Sequence, residues 1–268
     1  MRTQIETELD RIEGEKGVCV VCACESGSRA WGFESSDSDY DVRFLYVHPT
    51  EWYLRVSPGR DVIERTADGL LDLSGWDLRK AFQLLRKSNP PLLEWLQSPI
   101  VYRQRDSVVD RIRELLPHYY QSAACHYHYL HIAQGNYRDY LQRDTVRLKK
   151  YCYVLRPVLA CLWIERGYGI VPIELQKLVD RVLDDGAVAA AVRDLVARKR
   201  AGEELDRGPR NPAISDFLGQ ELARLSRKEP PPTCHVSSTE LDRVFRECLI
   251  ELYGDRFQAT RSERRESG

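Results

Sequence analysis

The chain has 268 residues, 43% of them apolar and 30% charged, enough hydrophobic material for a folded core and too much for a disordered polymer. Forty basic and 41 acidic side chains leave a net charge of −1, which excludes a histone-like coat for nucleic acid but allows a local basic patch. No uncharged apolar run approaches the ~20 residues that cross a bilayer: the closest, Val154–Ile164, is short and holds Arg156, and residues 1–17 carry no apolar signal segment. The expectation is a cytoplasmic protein without a membrane partner. Eight cysteines raise the question of a disulfide or zinc scaffold. Cys19, Cys22 and Cys24 fall in the apolar run VCVVCAC, and Cys125, Cys152 and Cys161 in helix-like segments. No second pair follows Cys19-x-x-Cys22 at zinc spacing, so reduced core thiols are expected, with a redox role as the alternative.

Thr3–Lys16 reads as an amphipathic helix, with Ile5, Leu9 and Ile12 at helical spacing and Gly17 ending it. Val18–Cys24 is a buried strand by length and β-branched content. The Gly-, Ser- and Asp-rich stretch Glu25–Ser38 predicts a loop with room for a helical turn. Tyr40–Val47 is a second strand stopped by His48-Pro49, Arg60–Arg65 a third and Leu70–Trp76 a fourth. From Leu78 to Arg86 the period becomes helical. Asn89-Pro90-Pro91 interrupts it, and Leu92–Leu96 starts another turn. Beyond about residue 105 the pattern is helical: Val108–Tyr120, Ser122–Gln134, Arg143–Arg166, Ile173–Asp184, Gly186–Lys199 and Ile214–Ser226. Ala201–Pro212 reads as a charged connector, and Lys228–Val236, with three prolines in a row, as a loop. A final helix, Thr239–Tyr253, opens with a capping box of Ser237 and Glu240. The tail, residues 259–268, reads as disordered. The fold expected is α+β: a small mixed sheet flanked by helices over residues 1–104, followed by an all-α domain over 105–258.

The chemistry concentrates in Glu25-Ser-Gly-Ser-Arg-Ala-Trp-Gly-Phe-Glu-Ser-Ser-Asp-Ser-Asp-Tyr-Asp41, set between two apolar strands. Gly27 lets the backbone turn sharply and approach a ligand closely. If a helix begins there, its free N–H groups and the Ser28 hydroxyl can cradle phosphate. Asp39 and Asp41 stand two apart at the mouth of a strand, so both carboxylates are expected on one side. Held that close they repel unless a cation lies between them, and hard oxygen ligands beside a triphosphate favour Mg²⁺. Alone, a Gly-Ser pair is usually a turn and an Asp-x-Asp usually solvated. It is their order and spacing that carry the signal.

This spacing, G-S-x10-D-x-D, resembles the signature of the DNA-polymerase-β-like nucleotidyltransferases. The stretches GSRAWGFESSDSDYDVRFLYV, DLSGWDLRKAFQLLRKSNPPLLEWLQSPIVY and GNYRDYL…VRLKKYCYVLRPVLA resemble the RlaP-type (YcgL-type) branch, over roughly residues 20–170. That resemblance implies that Gly27 and Ser28 hold the phosphates of a nucleoside triphosphate (NTP). It implies that Asp39 and Asp41 bind two divalent ions, Mg²⁺ or Mn²⁺, and that a third acid completes the set. Glu64, Asp72 and Asp77 are the candidates. Asp72-Leu-Ser-Gly-Trp-Asp-Leu-Arg-Lys80 matches the family pattern with Asp72 in that role, while Asp77 reads as the cap of the following helix and Glu64 as a partner of Arg60 or Arg65.

Arg29 could touch the β- and γ-phosphates or be a surface charge, and Lys80 could face the site from the helix it opens. The resemblance raises Asn89 above a simple helix terminus. Arg147, Lys149, Lys150 and Arg156 form the best basic patch of the second half, either a solvated helix face or, through Lys150 and Arg156, a contact to triphosphate or acceptor. Tyr127, Tyr137, Tyr140 and Tyr151 could stack on bases, although core positions are commoner for tyrosine. His126, His128 and His131 lack a nearby Glu or Cys at ligand spacing, which favours a structural or RNA-contacting role over zinc. The implied reaction is two-metal transfer of NMP from NTP to an acceptor hydroxyl with release of pyrophosphate. The preferred acceptor is an RNA 3′ end, such as a broken tRNA, with an RNA ligase in the same pathway. A protein or small-molecule acceptor, or an idle RNA-binding module, are the alternatives.

Overall fold

A computed structural model describes residues 1–36, 38–67, 69–203, 207–227 and 237–254. The expected proline-rich loop over 228–236 and the tail over 259–268 lie outside the described residues. The first half runs α1 (Arg2–Lys16), β1 (Cys19–Glu25), α2 (Gly27–Ala30), β2 (Tyr40–Val47), α3 (Thr50–Tyr53), β3 (Val62–Ala67), β4 (Leu71–Asp77), α4 (Leu78–Arg86), α5 (Pro90–Leu96) and β5 (Val101–Gln104). The five strands form one mixed sheet in the order β3-β4-β2-β1-β5, in which only the β2–β4 pairing is parallel.

The period-2 alternation of the strands gives the sheet two apolar faces. On one, Ile5, Leu9 and Ile12 of α1 pack against Val20, Ala23, Val42, Phe44, Leu71 and Leu73. Gly75 stands in register with Phe44 on that face, and a side chain there would overlap the Phe44 ring. On the other face, Val21, Cys22, Cys24, Leu45 and Val47 join the helices.

The second half comprises α6 (Asp106–Tyr119), α7 (Ser122–Tyr140), β6 (Thr145–Arg147), α8 (Lys150–Glu165), α9 (Leu175–Val182), α10 (Ala187–Arg200), β7 (Arg207–Pro209), α11 (Pro212–Leu225) and α12 (Thr239–Tyr253). The boundary expected at 104/105 falls between β5 and α6, and a single apolar cluster runs across it from Val21 to Leu249.

Several elements depart from expectation. The helix expected from Arg143 starts only at Lys150, because Thr145–Arg147 pairs as a strand with Arg207–Pro209. β5 was not expected, and neither was α3. The capping box of the last helix is not made: Ser238 is the cap residue, Ser237 Oγ accepts from the Thr239 N–H, and Glu240 pairs with Arg243. The seven described cysteines are all free thiols, six of them buried. No described helix is long and apolar enough to cross a membrane.

Candidate active site

The turn after β1 is tied to Asp41 from both sides of its peptide. The Ser26 N–H donates to the Asp41 carbonyl at 2.8 Å, and the Asp41 N–H donates to Glu25 Oε1 at 2.7 Å. Glu25 is fully buried and also accepts the Tyr102 hydroxyl of β5; burial pushes its carboxyl above the usual range. Gly27 follows at φ +59°, in the left-handed region, and a Cβ there would overlap the Asp41 carboxylate. Gly27 thus lets the backbone and the acid lie in direct contact. Ser28, next in the turn, is buried.

Parallel pairing then sets Asp41 of β2 directly opposite Asp72 of β4. Their repulsion is relieved by Arg43, one pleat repeat along β2, whose Nη2 lies 3.0 Å from Asp41 Oδ1 and Nη1 2.8 Å from Asp72 Oδ2. Burial pushes the Asp41 carboxyl up; Arg43 counters this, and the charges of Asp72 and Asp39 add to the rise. Asp39 sits just before β2 and is exposed. Arg29 holds the Asp39 segment in place, donating to the Ser38 carbonyl at 2.7 Å and the Asp39 carbonyl at 3.2 Å, with its guanidinium 3.8 Å from the centroid of the Tyr40 ring. Arg29 therefore commits its Nε and Nη2 to the backbone of the Asp39 segment.

The three acids do not form a ready-made cluster of metal ligands among the described residues. The donor set nevertheless fits a hard divalent cation: two carboxylates level with each other, a third whose field reaches Asp41, and a cationic group already needed between them. Asp77 belongs to the alternate set of β4 side chains. Fully buried, it accepts from the Arg79 N–H at 2.9 Å and the Tyr53 hydroxyl at 2.6 Å, so it caps α4. Glu64 stands opposite Ser74, on the Asp72 face, with Arg60 at 2.5 Å.

The remaining expected residues divide. Lys80 pairs with Asp61 at 3.0 Å, and Asn89 caps α5 by accepting from the Leu92 N–H at 3.3 Å. Arg156 is buried, 2.8 Å from Glu94 Oε1, and donates from Nε to the Ile173 carbonyl at 2.9 Å. Tyr129 and Trp31 donate to the same Glu94, making a buried polar junction under α2. Lys150 packs on the Tyr140 and Tyr153 rings at 4.5 and 4.6 Å. Burial, then the charges of Lys149 and Arg147, pull its amine below the usual range. The Tyr153 phenol is raised by burial and next by Asp41, with Asp39 contributing, so this ring of α8 lies within the field of both acids. Arg147 lies on β6, off the helix that carries Lys150 and Arg156. Tyr151 is buried and Tyr127 exposed. His128 is held below its usual range by burial, and His126 lies 3.7 Å from Glu165.

Sequence reading missed Glu25, Arg43, Tyr102 and Tyr153. Arg43 was visible as a charged residue inside an apolar strand, a pattern that calls for a partner, whereas Glu25 is the last residue of β1, where the sequence reads as loop. A cleft of about 680 Å³ opens on the acid face, bounded by Ser26, Arg43, Asp72, Ser74, Trp76 and Trp95 among others, with the last two rings stacked at 3.8 Å.

Comparison with known proteins shows the family of the chain. The sequence model of a family described as "RNA repair pathway DNA polymerase beta family" (RlaP) matches residues 1–247. An uncharacterized protein, YcgL, of Bacillus subtilis (strain 168) is 45% identical over 257 residues, 95% of this chain and 99% of that one. A crystal structure of a nucleotidyltransferase-like protein from Exiguobacterium sibiricum 255-15 aligns over 91% of this chain and 80% of its own, at 14% identity and a TM-score of 0.31.

Proposed function

The chain belongs to the RNA repair pathway DNA polymerase beta family (RlaP), a nucleotidyltransferase family, and from that premise we propose that it transfers NMP from an NTP to the 3′ hydroxyl of an RNA. The observation that carries this reading is the in-register Asp41–Asp72 pair with Gly27 seated on the Asp41 carboxylate. Asp39, Asp41 and Asp72 would hold two divalent ions, Mg²⁺ or Mn²⁺. When bound, such ions neutralise the triphosphate and lower the pKa of the attacking hydroxyl.

The residues of the chain set the geometry around that chemistry. Gly27 lets the backbone come close to the polyphosphate, and Ser28 offers its hydroxyl. Arg29 keeps the Asp39 segment in place, and Glu25 fixes Asp41 through its peptide N–H. Lys150, on α8, supplies positive charge from the helical side. The acceptor end lies in the cleft along β4, its terminal hydroxyl near Asp72 and the base of an upstream nucleotide against Trp76, about 13 Å further along the strand. The acceptor hydroxyl releases its proton to water, its oxygen attacks the α-phosphorus, the bond from that phosphorus to the bridging α–β oxygen breaks, and pyrophosphate leaves.

The test is incubation of the full chain with each labelled NTP, Mg²⁺ or Mn²⁺, and an RNA with a free 3′ hydroxyl. Label joined to the RNA, lost in Asp41→Asn and in Asp72→Asn, supports the reading. Label on protein instead, or unaltered NTP in every mixture, overturns it in favour of protein nucleotidylation or of an RNA-binding module.

A further inference from the structure

The acid pair is not bare. Arg43 is anchored on it by more than charge: its Nη1 donates to the Val42 and Asp72 carbonyls, each at 3.2 Å, one from each of the two parallel strands. The same nitrogen reaches Asp72 Oδ2, and Nη2 reaches Asp41 Oδ1. A planar guanidinium fork spans two separate carboxylates in a way a single amine cannot. The side chain is 19% exposed and borders the cleft, so its head is fixed between the acids and open to displacement.

We propose that Arg43 is the built-in competitor for the divalent cation: it holds one oxygen of each of Asp41 and Asp72, and an ion that bridges the two acids through those oxygens must displace it. The inference rests on the metal-dependent reading above and goes beyond it, because it assigns Arg43 a role in setting metal affinity. The physical reason is direct. Oxygens that donate to a cation are already engaged by charge-assisted hydrogen bonds, so ion binding carries the cost of breaking them. The arrangement also prevents an unpaired carboxylate couple in the empty site, where repulsion would loosen the β2–β4 pairing. Metal affinity is therefore lower than the donor set alone would give, and the metal-free fold is firmer.

Mn²⁺ alone is the probe. Free Mn²⁺ is counted by electron paramagnetic resonance in titrations of the full chain, without nucleotide, for wild type, Arg43→Gln, Arg43→Lys and Asp41→Asn. Arg43→Gln is expected to bind Mn²⁺ about tenfold more tightly than wild type, the equivalent of one charge-assisted hydrogen bond. Arg43→Lys, which can hold only one acid at a time, should lie between them. Unfolding scans at low salt should show metal-free Arg43→Gln melting below wild type, with Mg²⁺ raising its midpoint more than it raises that of wild type. Equal or weaker Mn²⁺ binding by Arg43→Gln, or by Arg43→Lys should Gln fail to fold, overturns the inference. Asp41→Asn separates the two levels of argument. If it binds Mn²⁺ as wild type does, the metal-dependent reading itself falls; if it loses Mn²⁺ while the Arg43 variants gain nothing, only the competitor role falls.

Discussion

Asp41 and Asp72 lie opposite each other on adjacent parallel strands, level to the residue, although α3 and β3 intervene between them in sequence. Removing one charge from this pair tests the site with little change of shape. Asp72→Asn should reduce NMP transfer by about 10²–10³-fold. The same variant should keep a cooperative thermal transition, since Asp72 is exposed enough to accept an amide. Transfer assays beside circular dichroism melts check both halves of the expectation.

Gly27→Ala should do two kinds of damage. A side chain at φ +59° costs about 1–3 kcal/mol in backbone strain. The new methyl must also push the Asp41 carboxylate aside, and a displacement near 1 Å is enough to lower turnover about 100-fold. Denaturant unfolding reads the first effect and initial rates the second. Wild-type rates in this variant would contradict the contact.

Glu94 holds Arg156, Tyr129 and Trp31 at once in a buried setting. Glu94→Gln leaves the Arg156 guanidinium without its counter-charge and should cost about 3–5 kcal/mol of stability. Chemical denaturation measures it. Because α5 and α8 meet α2 at this junction, the Gly27 turn should loosen as well, visible as faster amide exchange at Ala30 and Trp31.

His48 gives a pH dependence with a definite sign. Burial, then the charges of Arg55 and Arg79, lower its imidazole from 6.5 to about 4, and it stacks on Trp52 at 3.9 Å. The unfolded chain therefore binds the proton more readily between pH 6.5 and 4. Stability from this group is complete above the upper value and is lost as pH falls through the window. Melting midpoints from pH 7 to 4.5 should fall less steeply in His48→Gln than in wild type, the difference isolating this group from the buried carboxylates.

The Asp41–Asp72 face was legible because strand alternation is local: both are polar residues at the starts of apolar strands, and their face follows from period 2, whereas Asp39 lies before β2 and outside that alternation. Asp77 as a cap was legible for the same reason, through the helical period that begins at Leu78. β5 was not, since its four residues are all half-buried and show no alternation. Thr145–Arg147 depends on a partner some sixty residues away, and nothing in a short window reports that pairing. Arg156 was assigned to a basic face from helical spacing. Its actual partner, Glu94, is the lone charge in PPLLEWL, and an isolated charge in each of two apolar helices is the signature of a buried pair.

The apolar cluster that crosses from the sheet into the helices has a practical consequence for any attempt to isolate a minimal catalytic fragment. A polypeptide ending at Gln104 would lose α6, which packs on β1 and α4, and α7, which packs on α5, and so would uncover part of the apolar cluster that holds Val21, Cys22, Leu85 and Leu92. Such a fragment should aggregate on expression, and the two halves should melt in one step. Swapping the helical half for that of a distant relative would demand a matched interface, so specificity is better altered by point changes along the β4 cleft than by grafting.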